Sequence, residues 1–248
     1  TENQIVVGTN GADSITGTPQ TDLIFGQDGN DTIDGLAAGD CIFGGRNDDS
    51  ILGGSGADLI LGGSGDDTAR GGSEQDEIFG NSGNDSLYGD QDDDTITGGK
   101  GNDIAYGGQD EDWLYGSDGD DSLYGELGLD QLLGEAGSDY LDGGADNDTL
   151  NGGLGLDTVL GGSGADKILV QGIEAEFDVF NGGSEFDDLE IIAGSGSAAI
   201  NGFSLSTNAV ERILGNNQGL LGNANANVFN LTGITFTSLS PLTQINAL

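Results

Sequence analysis

The sequence predicts an all-β fold in which short parallel strands stack into a β-solenoid. Three observations predict it: a nine-residue repeat, a content of 49 glycines in 248 residues, and one aliphatic residue at a constant place in each repeat unit. From Gly8 to Leu169 the chain divides into 18 consecutive nonapeptides without insertion or gap. A short fixed period of this kind is typical of solenoid architectures.

Glycine occupies the first position of every unit and often the second as well, as in Gly44-Gly45 and Gly161-Gly162. Because glycine has no Cβ atom, it adopts positive φ and lets two backbones approach closely in a tight turn. We therefore expect a turn at the start of each unit.

The eighth position is aliphatic in every unit, with Ala69 and Ala105 the smallest residues there, and the positions on either side vary. This pattern fits a three-residue strand with one side chain inward and two outward. Apolar residues nine apart cannot form the face of a helix, which requires spacings of three and four. Two units would then make one coil of about 18 residues, and coils would stack at about 4.8 Å.

The sixth position is aspartate in every unit, and the predicted stacking places the aspartates of units n and n+2 side by side in two ladders. Carboxylates about 5 Å apart repel one another strongly, and the chain has only five basic residues to offset them. These aspartates are therefore the candidate metal ligands: Asp13, Asp22, Asp31, Asp40, Asp49, Asp58, Asp67, Asp76, Asp85, Asp94, Asp103, Asp112, Asp121, Asp130, Asp139, Asp148, Asp157 and Asp166.

Calcium is the cation that suits these ladders best. It takes six to eight oxygen ligands, which carboxylates and turn carbonyls can supply, whereas magnesium demands near-ideal octahedral geometry. Soft metals are poorly served by a chain without His or Met and with one Cys. We expect roughly 16 calcium ions (Ca2+), eight gaps on each side, which would add about +32 to the formal charge of -39.

The composition excludes several classes of function. The charge argues against nucleic acid and anionic membranes as partners, and the single Cys41 excludes an internal disulfide framework. A chain without His can hold no zinc-protease motif or His-based triad. Paired acids such as Asp66-Asp67 recur with the repeat, which favours a metal ladder or a solvated loop over acid/base catalysis. We expect no enzyme. We also expect a soluble chain, without a cleavable signal at its start or an apolar run of the roughly 20 residues that span a bilayer.

Units such as "GGSGADLIL", "GGSGDDTAR" and "GGKGNDIAY" resemble the nonapeptides of the RTX (repeats-in-toxin, hemolysin-type) calcium-binding repeat family. The resemblance implies a right-handed parallel β-roll (β-solenoid) with two nonapeptides per coil and calcium ions between loops. It also implies that sixth-position aspartates and backbone carbonyls hold the ions, and that the chain is exported unfolded through a type I secretion channel. Gln20, Ala38 and Glu74 replace the fourth-position glycine, so we expect weaker sites there.

The repeat also suggests four regions in the chain. Residues 1–7 form an N-terminal lead-in or cap, 8–169 the β-roll, 170–190 an irregular continuation with two further repeats, and 191–248 a calcium-poor solenoid continuation or C-terminal cap. Asp178 and Asp187 are the candidate ligands of the two further repeats, while Asn227 stands where a later unit would have aspartate. The last 18 residues, which carry no charge, are either an uncleaved secretion signal or a last pair of strands.

Aromatic residues recur at the outward positions seven and nine. Tyr88, Tyr106 and Tyr124 fall on one face, and Phe25, Phe43, Phe79, Trp113 and Tyr115 on the other. They either form a docking surface for another chain, a cell-wall polymer or a second solenoid, or stack to stabilise neighbouring coils. Stacking is the preferred interpretation, because a solenoid with so little interior must use its outer faces too.

The sequence favours a secreted, non-enzymatic structural or cell-surface protein that folds on calcium binding after type I secretion. Its expected partners are calcium ions, the type I secretion machinery, and a cell-surface polymer or other surface proteins, with no nucleic acid and no membrane insertion. The alternative is a C-terminal export and folding module of a larger secreted enzyme or toxin. An ice-binding solenoid ranks third, because the outward residues Thr16, Asp34, Leu52, Arg70 and Tyr88 form no regular threonine ladder.

Overall fold

The computed structural model describes residues 4–171, 179–184, 188–192 and 212–215, in which all regular elements are parallel β-strands. The strands form two sheets, called sheet A and sheet B, and the chain alternates between them through most of its length. Sheet A contains β1 (Ile5–Val7), β3 (Leu23–Asp28), β5 (Cys41–Arg46), β7 (Leu59–Ser64), β9 (Glu77–Ser82), β11 (Thr95–Lys100), β13 (Trp113–Asp118), β15 (Gln131–Ala136), β17 (Thr149–Leu154), β19 (Lys167–Gln171), β21 (Asp188–Ile192) and β22 (Arg212–Gly215). Sheet B contains β2 (Ser14–Thr16), β4 (Thr32–Ala37), β6 (Ser50–Ser55), β8 (Thr68–Ser73), β10 (Ser86–Asp90), β12 (Ile104–Gln109), β14 (Ser122–Leu127), β16 (Tyr140–Ala145), β18 (Thr158–Ser163) and β20 (Val179–Ser184).

Each residue of a strand pairs with the residue 18 positions later in the same sheet. Leu87, for example, pairs with Ala69 on one side and Ala105 on the other. Two nonapeptides therefore make one coil, and the coils stack into the predicted parallel β-roll. The described part of the chain contains no helix long and apolar enough to cross a membrane.

The register shifts after the regular repeats. Thr158 pairs with Val179 and Lys167 pairs with Asp188, a spacing of 21 instead of 18, and Asp188 pairs with Arg212, a spacing of 24. The first three extra residues are those at which the sequence leaves the nine-residue period, and two of them, Val170 and Gln171, lie in β19. Phe180 still enters the interior as an eighth-position residue.

The strands are longer than the three residues predicted, because pairing continues through the first three positions of the next unit. Strand β7 runs from Leu59 to Ser64, and its Gly63 pairs with Gly45 of the coil before it. The turns are confined to positions four to six. Positive φ occurs at the second position, as in Gly63 at 120°, and at the fourth, as in Gly65 at 128°. The expectation of a positive φ at the first position was wrong, since these glycines lie within extended, paired backbone.

The interior is a single layer of aliphatic side chains from position eight. One column comes from each sheet, and most of its members have no solvent exposure. The core residues are Ile15, Ile24, Ile33, Ile42, Ile51, Ile60, Ala69, Ile78, Leu87, Ile96, Ala105, Leu114, Leu123, Leu132, Leu141, Leu150, Val159, Ile168 and Phe180. Because the columns are only one residue wide, each side chain depends on the coils above and below for its burial.

Aromatic rings on the outer faces stack on one another along the roll, as the preferred interpretation predicted. Tyr106 lies between Tyr88 and Tyr124, with ring centroids 5.1 Å and 4.8 Å away, and the Arg70 guanidinium lies 4.4 Å from the Tyr88 ring. The ring faces are thus covered by neighbouring coils, which adds a few tenths to about 1 kcal/mol per pair.

We predict that Leu114→Ala destabilises the roll by about 2–5 kcal/mol, because it leaves a cavity in a core without room to rearrange. Leu52→Ala, on the outer face of sheet B where 38% of the side chain is exposed, should cost far less. Urea denaturation at saturating calcium measures both. Equal costs for the two variants would contradict the single-layer core.

Candidate metal sites

The sixth-position aspartates close the turns, each standing immediately before a strand. Because alternate turns lie on opposite edges of the roll, the aspartates fall into two rows, as predicted. The first row holds Asp13, Asp31, Asp49, Asp67, Asp85, Asp103, Asp121, Asp139 and Asp157, and the second holds Asp22, Asp40, Asp58, Asp76, Asp94, Asp112, Asp130, Asp148 and Asp166. Asp178 and Asp187 lie outside the described residues.

These carboxylates are buried, although they belong to turns. Every one from Asp22 to Asp166 is at most 4% exposed, and Asp13 at the end of the roll is partly exposed. A buried carboxylate is unfavourable unless hydrogen bonds or a cation compensate for the lost hydration. The contacts of the carboxylate oxygens therefore decide whether each row is stable.

One oxygen of each carboxylate is satisfied by the backbone. The N–H of Asp85 donates to Oδ1 of Asp103, and the N–H of Asp103 donates to Oδ1 of Asp121, both at 2.8 Å. The same hydrogen bond, between aspartates 18 residues apart, recurs along both rows at 2.7–3.0 Å. The sequence did not indicate this contact, which links the rungs of each ladder directly.

The other oxygen has no hydrogen-bond partner in most of the rows. This holds for Oδ2 of Asp31, Asp40, Asp49, Asp58, Asp67, Asp76, Asp85, Asp94, Asp103, Asp112, Asp121, Asp130, Asp139 and Asp148, all of them buried. A repeated set of buried carboxylate oxygens without donors is what a row of cation sites requires.

The glycine at position one shows where these oxygens point. A Cβ atom on Gly62 would lie 2.5 Å from Oδ2 of Asp67 and 3.0 Å from the carbonyl oxygen of Gly80 in the next coil. A carboxylate oxygen and the carbonyl oxygen of a strand glycine in the next coil therefore face the same small space, which only a residue without a side chain leaves open. Oxygen donors of these two kinds suit calcium, so the residues present fit that ion.

Carbonyl oxygens would have to supply a large share of the ligands. Within the described residues no group of three or more His, Cys, Asp or Glu side chains is arranged to hold a metal ion. Two carboxylates from neighbouring coils leave at least four places for carbonyl oxygens or water in a calcium site. The ligand set of two carboxylates and several carbonyl oxygens stays a prediction.

The first coil differs from the others. Thr18 donates to Oδ2 of Asp22 from its N–H at 2.6 Å and from its hydroxyl at 2.9 Å, and Thr9 does the same for Asp13 at 2.6 and 2.9 Å. Threonine stands there at position two, where glycine is common. Hydrogen-bond donors thus satisfy the oxygens that lack partners in the coils that follow.

Burial raises the pKa of the aspartates in the middle of the rows. Loss of hydration is the largest cause and neighbouring carboxylates add to it, while the backbone N–H bond acts in the opposite direction; the pKa of Asp112 rises to about 8 and that of Asp67 to about 7. For Asp22, burial also raises the pKa, but the bonds from Gln4 and Thr18 together outweigh it and the pKa is lowered. Ionising these carboxylates in the folded roll therefore costs free energy, which a bound cation would offset.

A further, exposed row is formed by the residues at position five, and it runs beside the first row of buried aspartates. The N–H of Asn84 donates to Oδ1 of Asp66 and that of Asn102 donates to Oδ1 of Asn84, both at 2.8 Å. Asp48 and Asp120 make the same contact with the next coil. The sequence reasoning missed this row, although the recurrence of Asn and Asp before the sixth-position aspartate is a readable signal. The paired acids, such as Asp66-Asp67, thus divide into an exposed bridge and a buried carboxylate.

The fourth-position substitutions do not remove the turn. Ala38 and Glu74 take φ of 68° and 75°, whereas the fourth-position glycines from Gly29 to Gly164 lie between 114° and 150°. A side chain there therefore changes the backbone of the turn, which is consistent with the expectation of weaker sites, though the affinity remains a prediction.

Comparison with known proteins agrees with the repeat. The family model of the RTX calcium-binding nonapeptide repeat (four copies) matches residues 7–40, 35–69, 70–105, 97–132, 106–141 and 133–168. The search of curated proteins finds no match to this chain. The matched residues are those that form the two rows.

We predict that the double variant Asp103→Ala, Asp121→Ala raises the calcium concentration at the folding midpoint several-fold, because it removes two adjacent carboxylates of the first row. A calcium titration followed by far-UV circular dichroism measures the midpoint. The matched control is Asp48→Ala, Asp66→Ala, which removes the same charge from two exposed positions of the same edge. A midpoint that stays unchanged in the first variant, or moves equally in both, would show that the ligand assignment is wrong.

We also predict opposite pH dependences with and without calcium. The raised pKa values mean that the metal-free roll binds protons more tightly than the unfolded chain, whose aspartates titrate near 3.8. Its stability should therefore be highest below about pH 4 and be lost as the pH rises through the folded values of about 6–8. At saturating calcium the carboxylates must be ionised to bind, so stability should rise over the same range. The urea midpoint measures both, and slopes of the same sign would contradict the prediction.

Proposed function

The chain belongs to the RTX calcium-binding nonapeptide repeat family, and from this premise we propose that calcium is the switch that folds it. One observation supports the proposal above others: the buried Oδ2 atoms of the two rows, which have no hydrogen-bond donors from Asp31 to Asp148. A folded roll with these oxygens uncompensated would be unstable near neutral pH.

The sixth-position aspartates of neighbouring coils would hold the ions together with backbone carbonyls such as that of Gly80. Bound there, calcium supplies positive charge and links one coil to the next. The proposed number is roughly 16 ions, and the ligands include Asp178 and Asp187 of the two further repeats. The hydrogen bonds from Thr9 to Asp13 and from Thr18 to Asp22 support the inference that the first coil depends less on calcium than the other coils.

Without calcium the chain should remain extended. Its formal charge is -39 and 49 of its residues are glycine, so both repulsion and conformational entropy oppose a compact state. When calcium binds the folded form alone, its binding free energy becomes folding free energy. The chain would thus stay unfolded in a cytosol poor in calcium and fold outside, where calcium is millimolar.

The proposed setting is therefore extracellular, with export through a type I secretion channel and folding at its exit. The proposed role is structural and non-enzymatic: a calcium-loaded rod at a cell surface or in a matrix, where it meets a surface polymer or other surface proteins. The described residues support this role because they consist almost wholly of repeat coils, and the sixth-position aspartates of these coils form the two rows.

Far-UV circular dichroism of chelator-treated protein during a calcium titration tests the switch, with magnesium as the control. We expect a cooperative gain of β signal with calcium and none with magnesium at equal concentration. A β-rich chain indifferent to chelator would overturn the proposal, because the roll would then stand without its ions.

A further inference from the structure

One end of sheet A carries an uninterrupted apolar surface on its outside. Positions seven and nine of β1, β3, β5 and β7 point outward, and all eight residues there are apolar. This apolar face consists of Ile5, Val7, Leu23, Phe25, Cys41, Phe43, Leu59 and Leu61. Ile5 is 71% and Val7 56% exposed, and the other six are partly exposed.

The opposite sheet shows that this is not a general property of the outer surface. The same positions of β2, β4, β6 and β8 hold Ser14, Thr16, Thr32, Asp34, Ser50, Leu52, Thr68 and Arg70. Seven of these eight residues are hydroxyl-bearing or charged, and Leu52 is the exception. The roll therefore presents one apolar and one polar side over its first four coils.

The apolar face is flat and regular. Parallel pairing aligns Leu23, Cys41 and Leu59 in one column, and the rings of Phe25 and Phe43 stack in the other with centroids 5.0 Å apart. Four strands at about 4.8 Å make the face roughly 14 Å long. Apolar surfaces of this kind, rimmed by polar groups, mark interaction sites.

The positions of the charged residues limit which partners can bind the apolar face. At positions seven and nine of sheet A the first charged residue is Glu77 in β9. Asp28 and Arg46 form an exposed ion pair at position three of β3 and β5, and the carboxylate rows lie on the turns at the two edges. A partner must therefore be apolar over this face and must not place its own charges there. A second copy of the same face meets both conditions.

We propose that the apolar face packs against the apolar face of a second copy of this chain. Two identical faces related by a two-fold axis are self-complementary, and their side-chain rows have the same spacing, so they can interdigitate. Facing sheets lie about 10 Å apart, about one Debye length, which separates the acidic edges of the two copies.

The contact is small. The four strands of the apolar face, about 14 Å by 10 Å, offer roughly 140 Å² in plan on each copy. About 280 Å² for the pair lies below the range of stable specific interfaces. We therefore expect a weak, reversible dimer that forms at high protein concentration. It requires a folded roll, so it rests on the proposed calcium switch.

Sedimentation velocity at saturating calcium, over a range of protein concentrations, tests the dimer with two matched variants. Leu61→Glu places a charge in the apolar face, and Leu52→Glu makes the same change at the same repeat position of the neighbouring unit on sheet B. We expect the wild type and Leu52→Glu to dimerise alike, and Leu61→Glu to raise the dissociation constant at least tenfold. Circular dichroism in the same buffer shows whether each protein is folded, which separates failure of the dimer from failure of the switch.

Cys41 gives a second measurement that needs no variant, because it lies within the apolar face and is the one cysteine of the chain. Its alkylation by iodoacetamide should slow several-fold as wild-type protein is concentrated in calcium. A folded wild type that stays monomeric, with alkylation independent of its concentration, overturns the proposal. Equal weakening by the two glutamate variants also overturns it.

Discussion

The stacking of identical coils at about 4.8 Å is the constraint from which the rest of the structure follows. It gives every side chain two like neighbours, one above and one below. For Ile, Leu and Tyr this repetition is favourable, because apolar columns and ring stacks bury surface. For aspartate it is unfavourable, and the burial that excludes water from the turns makes it more so. The roll thus gains its cohesion and its need for cations from the same geometry.

The stacking of the coils also determines which positions of the repeat require glycine. At position one the carboxylate oxygen and the carbonyl of the next coil occupy the space of a Cβ atom, as at Gly62. At position two the demand is conformational, and Leu36 with φ of 80° shows that other residues can meet it. First-position glycine is therefore invariant along the repeat for reasons of space, whereas the second position varies.

Much of this could be predicted from the nine-residue period alone. The constant aliphatic position specifies the core. Two units in each coil specify two rows of aspartates. The N–H bond from Asp85 to Asp103 could not be predicted, because it depends on the direction of a carboxylate between residues 18 apart. The true strand length also escaped prediction, since glycines paired within a strand look like turn residues in sequence. The apolar face was hidden because its members alternate, unit by unit, with the polar residues of sheet B.

The pairing of each residue with the one 18 positions on sets the unit in which such a chain can change length during evolution. Loss or gain of 18 residues removes or adds one whole coil. The remaining outward residues of sheet A and sheet B then stay on their own sheets. Loss of nine keeps the aspartate rows complete but moves every later unit to the opposite sheet, so that Phe43 and its neighbours would be mixed with serine and threonine. The spacing of 21 between Thr158 and Val179 shows that the sheets stay paired across a three-residue insertion. Larger changes in length should therefore be tolerated in whole coils, because the outward residues of the two sheets, and not the metal sites, would otherwise be mixed.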